Sequence, residues 1–123
     1  MIIGIVTSNL EATVRLQIVD GNGQSQSIDT ILDTGFSEFL SLPIATVAAL
    51  GLPWLYHDKT QLIDGRIIPV EIFATSVIWN GKPRMINVQA LGVHNLIGMR
   101  MLAGHDMQMR IVDGGTVTID AVP

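Results

Sequence analysis

From Thr13 to Val19 apolar and polar residues alternate, with Val14, Leu16 and Ile18 on one side and Thr13, Arg15 and Gln17 on the other. A period of two marks a half-buried strand. Gly21-Asn22-Gly23 follows, a turn of residues that tolerate positive φ, and Ser27 to Leu32 returns as a second strand. Phe36 to Leu42 reads as extended and apolar. Pro43 suits the first turn of a helix over Ile44 to Leu50, which Gly51 stops. Beyond Pro53 the extended pattern resumes, with Lys59 to Ile63, a turn at Asp64-Gly65, and a long arm from Arg66 to Trp79. Pro69 removes an amide donor from that arm, so one edge there should be unpaired or bulged. Asn80-Gly81 turns the chain into Arg84 to Leu91. Asn95 to Gly98 reads as a short buried strand, and Met99 to Ala103 as a short helix stopped by Gly104. Met107 to Val112 and Thr116 to Ile119 form a last hairpin around Asp113-Gly114-Gly115. The sum is an all-β chain, a small closed barrel with two short helices and a single domain over residues 1–123.

A faint duplication runs through this pattern. Each half has a hairpin with an Asn-Gly turn, then a branched apolar pair leading to glycine (Ile31-Leu32 to Gly35; Leu96-Ile97 to Gly98), then a short helix.

Composition narrows the class. The 123 residues carry no cysteine, which removes disulfides, thiolate metal sites and a cysteine nucleophile. The formal net charge is −4 and the few basic residues are scattered, unlike the stripe of a nucleic-acid binder. Apolar residues make up 48 % but aromatics only 5 %, so the core must come from Val, Ile, Leu, Ala and Met. The uncharged stretch from Phe39 to Tyr56 contains Pro43, Gly51 and Pro53 and falls short of the roughly 20 apolar residues a membrane span needs. The first residues lack the basic region of a signal peptide. A soluble, cytoplasmic protein with no membrane partner is expected.

Candidate chemistry centres on Ile31-Leu32-Asp33-Thr34-Gly35. The bare tripeptide Asp-Thr-Gly arises by chance in on the order of a few per cent of chains this long. It also has a plain reading, as a strand-end turn in which the aspartate caps local amides. Its setting between two apolar strands argues for more, because an unpaired carboxylate near a core is costly. A second carboxylate sharing one proton with it would compensate, since two close like charges cannot both ionise.

Asp33-Thr34-Gly35, followed far downstream by Leu96-Ile97-Gly98 and a short helix, resembles the retropepsin-like aspartic proteases of clan AA. With Phe36 the motif looks like a microbial Asp-Thr-Gly-Phe branch of that clan. The resemblance implies a barrel of the retropepsin type, one protomer per active-site half, working as a homodimer on an extended peptide or protein substrate without any cofactor or metal. Asp33 would be the catalytic carboxylate paired with its copy. Thr34 would hydrogen-bond across the dimer axis, and Gly35 would leave its carbonyl free for substrate. Phe36 and Ser37 would continue the substrate floor. The turn Leu62, Ile63, Asp64, Gly65 and Arg66 would be the tip of a flap, and Leu96, Ile97 and Gly98 would brace the Asp loop from behind. Retroviral members carry an Asp or Asn two residues after the motif glycine and an Arg directly after the second glycine. Here Ser37 and Met99 stand in those places, so the dimer must be braced otherwise. In retroviral relatives the terminal strands interleave between protomers, and Ile2 to Val6 and Thr116 to Val122 are expected to do so here. The alternative is a non-catalytic dimer of the same fold that binds peptides or organises partners.

Other signals have plainer readings. His57-Asp58 and His105-Asp106 lie next to turns and read as surface residues rather than metal ligands. His94 precedes the buried Leu96-Ile97 segment, within reach of the site, but reads more plainly as a solvated loop residue. The methionines at 99, 101, 107 and 109 read as core filler. Asp29-Thr30 lacks the glycine and reads as strand.

Overall fold

The computed structural model describes residues 1–123. Val14, Leu16 and Ile18 all turn inward on β2 (Ala12–Val19), as the alternation requires. A turn over residues 20–24 joins β2 to β3 (Ser25–Leu32). Asp20 organises that turn: Oδ1 accepts from the amides of Asn22 and Gln24 and Oδ2 from the Gln26 side chain. Those donors, the Gln24 amide foremost, hold the Asp20 carboxyl below its ordinary range. Here only Gly23 adopts positive φ, so the turn is longer than the Gly-Asn-Gly reading expects. At the second hairpin both Asn80 and Gly81 have positive φ, the pairing that matches strand twist.

After β3 the chain forms the Asp33 loop, then β4 (Leu40–Leu42) and α1 (Ile44–Leu50), which ends on Gly51 in the left-handed region. Strand β5 (Trp54–Gln61) begins earlier than its alternation suggests and pairs with the long β6 (Ile67–Trp79). Next come β7 (Lys82–Ala90), the two-residue β8 (Leu96–Ile97) and α2 (Met99–Leu102). The chain closes with β9 (His105–Met109) and β10 (Thr116–Ala121), and β1 (Ile2–Val6) lies beside β10.

All ten strands join one sheet in the order β5-β6-β7-β4-β8-β3-β2-β1-β10-β9, and an extra β6–β2 pairing bends it into a ring. The ring encloses a core of aliphatic side chains, among them Leu16, Ile18, Leu40, Val77 and Ile97. Inward positions on β6 change parity between Ile72 and Thr75, so one strand serves both the β5–β6 hairpin and the ring. The two apolar pairs of the duplicated pattern lie side by side in parallel, Ile31 opposite Leu96 and Leu32 opposite Ile97.

Three expectations need correction. Strand structure over Phe36 to Leu42 is confined to Leu40–Leu42, because the carbonyls of Phe36 and Phe39 accept from the amides of Met99 and Gly98 instead of joining a ladder. The last hairpin is shifted, with β9 ending at Met109 and Arg110 to Val112 folded into the turn. The terminal strands do not wait for a partner molecule: β1 pairs with β10 from Ile2 opposite Ile119 to Ile5 opposite Thr116, and with β2 on its other edge. Pro69 behaves as expected. It faces Lys59 on β5, while pairing with β7 begins only at Glu71.

Candidate active site

Strand β3 stops at Leu32 because the next residues form a backbone turn. Gly35 donates its amide to Asp33 Oδ1 at 2.9 Å, and the Phe36 amide donates to the Asp33 carbonyl at 3.1 Å. The loop is held from behind. Asp33 donates its amide to the Ile97 carbonyl at 2.9 Å and Ile31 to that of Asn95 at 2.8 Å. Gly98 sits against the loop so closely that a Cβ there would lie 2.1 Å from the Glu38 carbonyl oxygen and 2.6 Å from Phe36 Cδ2. Leu96, Ile97 and Gly98 thus contact the Asp loop through both backbone and close packing.

Asp33 is half-buried, less enclosed than its apolar flanks suggest, and Thr34 and Gly35 are exposed. Thr34 makes no side-chain hydrogen bond within the protomer. Above the loop, β5 and β6 extend as a two-stranded hairpin past the reach of β7. Its tip closes with the Leu62 amide donating to the Arg66 carbonyl at 2.8 Å and Gly65 at positive φ. Arg66 returns to Asp64 through its amide at 3.0 Å and its guanidinium at 2.7 Å. These two donations hold the Asp64 carboxyl below its ordinary range. At the tip Ile63 is fully exposed.

Between hairpin and loop lies a cleft of about 440 Å³. Asp33, Gly35, Phe36 and Leu96 line its floor side and Leu62 and Ile63 its roof, with His94 at the rim. A second cleft of about 260 Å³ adjoins it, sharing Gly35, Phe36, Thr60, Gln61 and Gln89 and adding Ser37, Glu38 and Tyr56. Of the residues singled out from sequence, Thr34, Asp64, Gly65 and Arg66 line neither cleft, and Ile97 and Gly98 lie behind the loop.

Several residues at the site had no sequence signal strong enough to single them out. Glu38 and Arg100, each one position beyond Ser37 and Met99, form an ion pair at 3.1 Å. It ties the Asp loop to α2, and both Arg84 and Arg100 lie over the Phe39 ring. Ser41 and Gln89 are buried polar residues on β4 and β7. His94 is a loop residue as expected, yet it reaches the Asp33 cleft. Elsewhere, Asp29 is a strand residue paired with Arg15 at 3.1 Å. His57 lies 2.7 Å from Glu71, whose carboxyl is held low by the Trp54 indole N–H first and by His57 after it. His105 packs edge-on against Trp79. No group of residues has metal-ligand geometry, and no helix is long and apolar enough to cross a membrane.

No family model matches the chain, and no curated protein matches it. Among solved structures it is similar to a retropepsin-like aspartic protease from Rickettsia conorii, at 20 % identity and a TM-score of 0.59, over 99 % of this chain and 91 % of that one. The ring of strands, the hairpin over the Asp loop and the flanking helices therefore make up a retropepsin-like fold.

Proposed function

We propose that the chain is an aspartic endopeptidase of the Asp-Thr-Gly-Phe type that works as a homodimer, with one Asp33 from each protomer forming the catalytic pair. The observation that carries this reading is the position of Asp33, on the floor of a cleft roofed by a hairpin, in a fold shared with an aspartic protease. One protomer supplies a single carboxylate and half a groove. The exposed Thr34 hydroxyl without a partner and the fully exposed Ile63 are what an axis of symmetry through the loop and flap tips would cover.

The chemistry follows from two close carboxyl groups holding one proton between them. The ionised carboxylate takes a proton from a bridging water as the water oxygen bonds to the peptide carbonyl carbon. The protonated partner donates to the carbonyl oxygen, giving a tetrahedral gem-diol. Proton return to the amide nitrogen then breaks the C–N bond and releases acid and amine, with no covalent enzyme species and no metal. Gly35 leaves backbone free for the substrate, which lies extended with alternate side chains in the clefts. Closure of Leu62 to Arg66 over it would exclude water.

Digestion of a peptide library by wild type and Asp33→Asn in parallel tests this directly. Cleavage by wild type and loss of at least about a thousandfold in the variant are expected, with dimerisation retained. Equal cleavage by both in clean preparations sinks the assignment. Binding of a statine-type transition-state mimic separates the enzyme from a peptide-binding dimer of the same fold.

A further inference from the structure

A buried amide divides the two clefts. Gln89 on β7 is 8 % exposed and lines both the cleft beside Asp33 and its neighbour. Its amide nitrogen donates to Ser41 Oγ at 3.4 Å, at the long limit for such a bond. Ser41, also buried, donates to the Leu91 carbonyl at 3.4 Å. Gln89 Oε1 accepts no hydrogen bond from the protein. The neighbours of Ser41 and Gln89 along β4 and β7, Leu40, Leu42, Val88 and Ala90, are apolar and buried in the core. Gln89 Oε1 is not sealed off among apolar groups but keeps contact with the cleft, where water or an incoming N–H or O–H can reach it.

We infer that Gln89 determines specificity, selecting peptides with an amide or hydroxyl side chain at one position flanking the scissile bond. This deepens the proteolytic reading and rests on it. An extended substrate sends alternate side chains towards the floor. Phe36, Leu62, Leu91 and Leu96 suit an apolar side chain beside Asp33. The adjoining cleft is walled by Asn87, whose amide donates to Tyr56 Oη at 3.3 Å. A side chain entering there meets polar groups on the wall and the open Gln89 oxygen on the floor. An asparagine, serine or threonine replaces the water it displaces from that oxygen. A leucine strips the water and offers nothing, so the site discriminates against it by on the order of tenfold or more.

Peptide pairs differing only in Asn against Leu, scanned through each position flanking the scissile bond, test the inference. Wild type should favour Asn about tenfold in kcat/KM at one position, mainly through KM because the side chain does not react. The near-isosteric Gln89→Met should remove or reverse that preference, with its thermal unfolding recorded alongside. Should that variant fail to fold, calorimetric binding of the same peptides to Asp33→Asn reads the intact floor without turnover. There too the Asn peptide should bind about tenfold tighter. Asp33-dependent cleavage with no Asn preference at any position overturns the Gln89 assignment and leaves the protease standing. No cleavage by wild type, with both peptides ignored by Asp33→Asn, overturns both.

Discussion

At Gly98 there is no space for a side chain, because the Glu38 carbonyl and the Phe36 ring occupy it. Gly98→Ala must push the Asp loop away from α2, and overpacking of this kind costs about 3 kcal/mol. A lowered urea midpoint with an unchanged slope is the expected result, and an unmoved midpoint contradicts the packing described. The Glu38–Arg100 pair makes a contrast. Both partners are more than half exposed, so solvent screens their attraction. Glu38→Ala should change stability by no more than about 1 kcal/mol in the same assay. The backbone bonds from Asp33 and Gly98 therefore carry more of the loop's rigidity than the ion pair does. Asp33 and Gly35 stood out in the sequence as a charge and a glycine at a strand end, whereas Gly98 stood out through the family resemblance. Gln89 did not, since a glutamine in a strand reads as outward-facing until the opposing strand β4 is known.

At the scale of elements, the β5–β6 hairpin carries a contact that depends on pH. Asp64 has its carboxyl lowered by the Arg66 amide and then the Arg66 guanidinium. A lowered folded value means that its contribution is fully present above the ordinary carboxylate range and fades as pH falls through the lowered value. The tip should thus stay closed in mild acid and loosen only in stronger acid. Amide exchange of Gly65 and Arg66, followed from pH 5 downward, should show protection retained through about pH 4 and lost below it. Loss of protection already at pH 5 contradicts the staple. Turn residues made this hairpin readable: Asp64-Gly65 between two extended runs, and Pro69 where the second ladder stops. The length of β5 was not readable, because Trp54 to Asp58 is exposed and shows no clean alternation, and only pairing with β6 makes it a strand.

For the whole molecule, the terminal strands belong to the chain's own sheet. β1 sits between β10 and β2 of its own chain, and Val6 is fully buried in the core. Removal of residues 1–6 should therefore lower the unfolding temperature at every protein concentration, a loss in the protomer rather than in association alone. A midpoint that depends on concentration in the full chain and not in the truncated one would point to an interleaved sheet instead. On the proposed dimeric site, proteolytic activity should fall on dilution as protomers part, and an activity per molecule constant with dilution contradicts that proposal. The chain's own residues determine the strands, the turns and the Asp-Thr-Gly loop, because alternation, positive φ and the lack of a side chain are properties of a few neighbours. Tertiary structure decides which strands the termini choose, how β6 and β2 close the ring, and which polar residues meet beneath the groove. Those outcomes rest on contacts between segments far apart along the chain, where several pairings satisfy the same local pattern and only shared burial selects one.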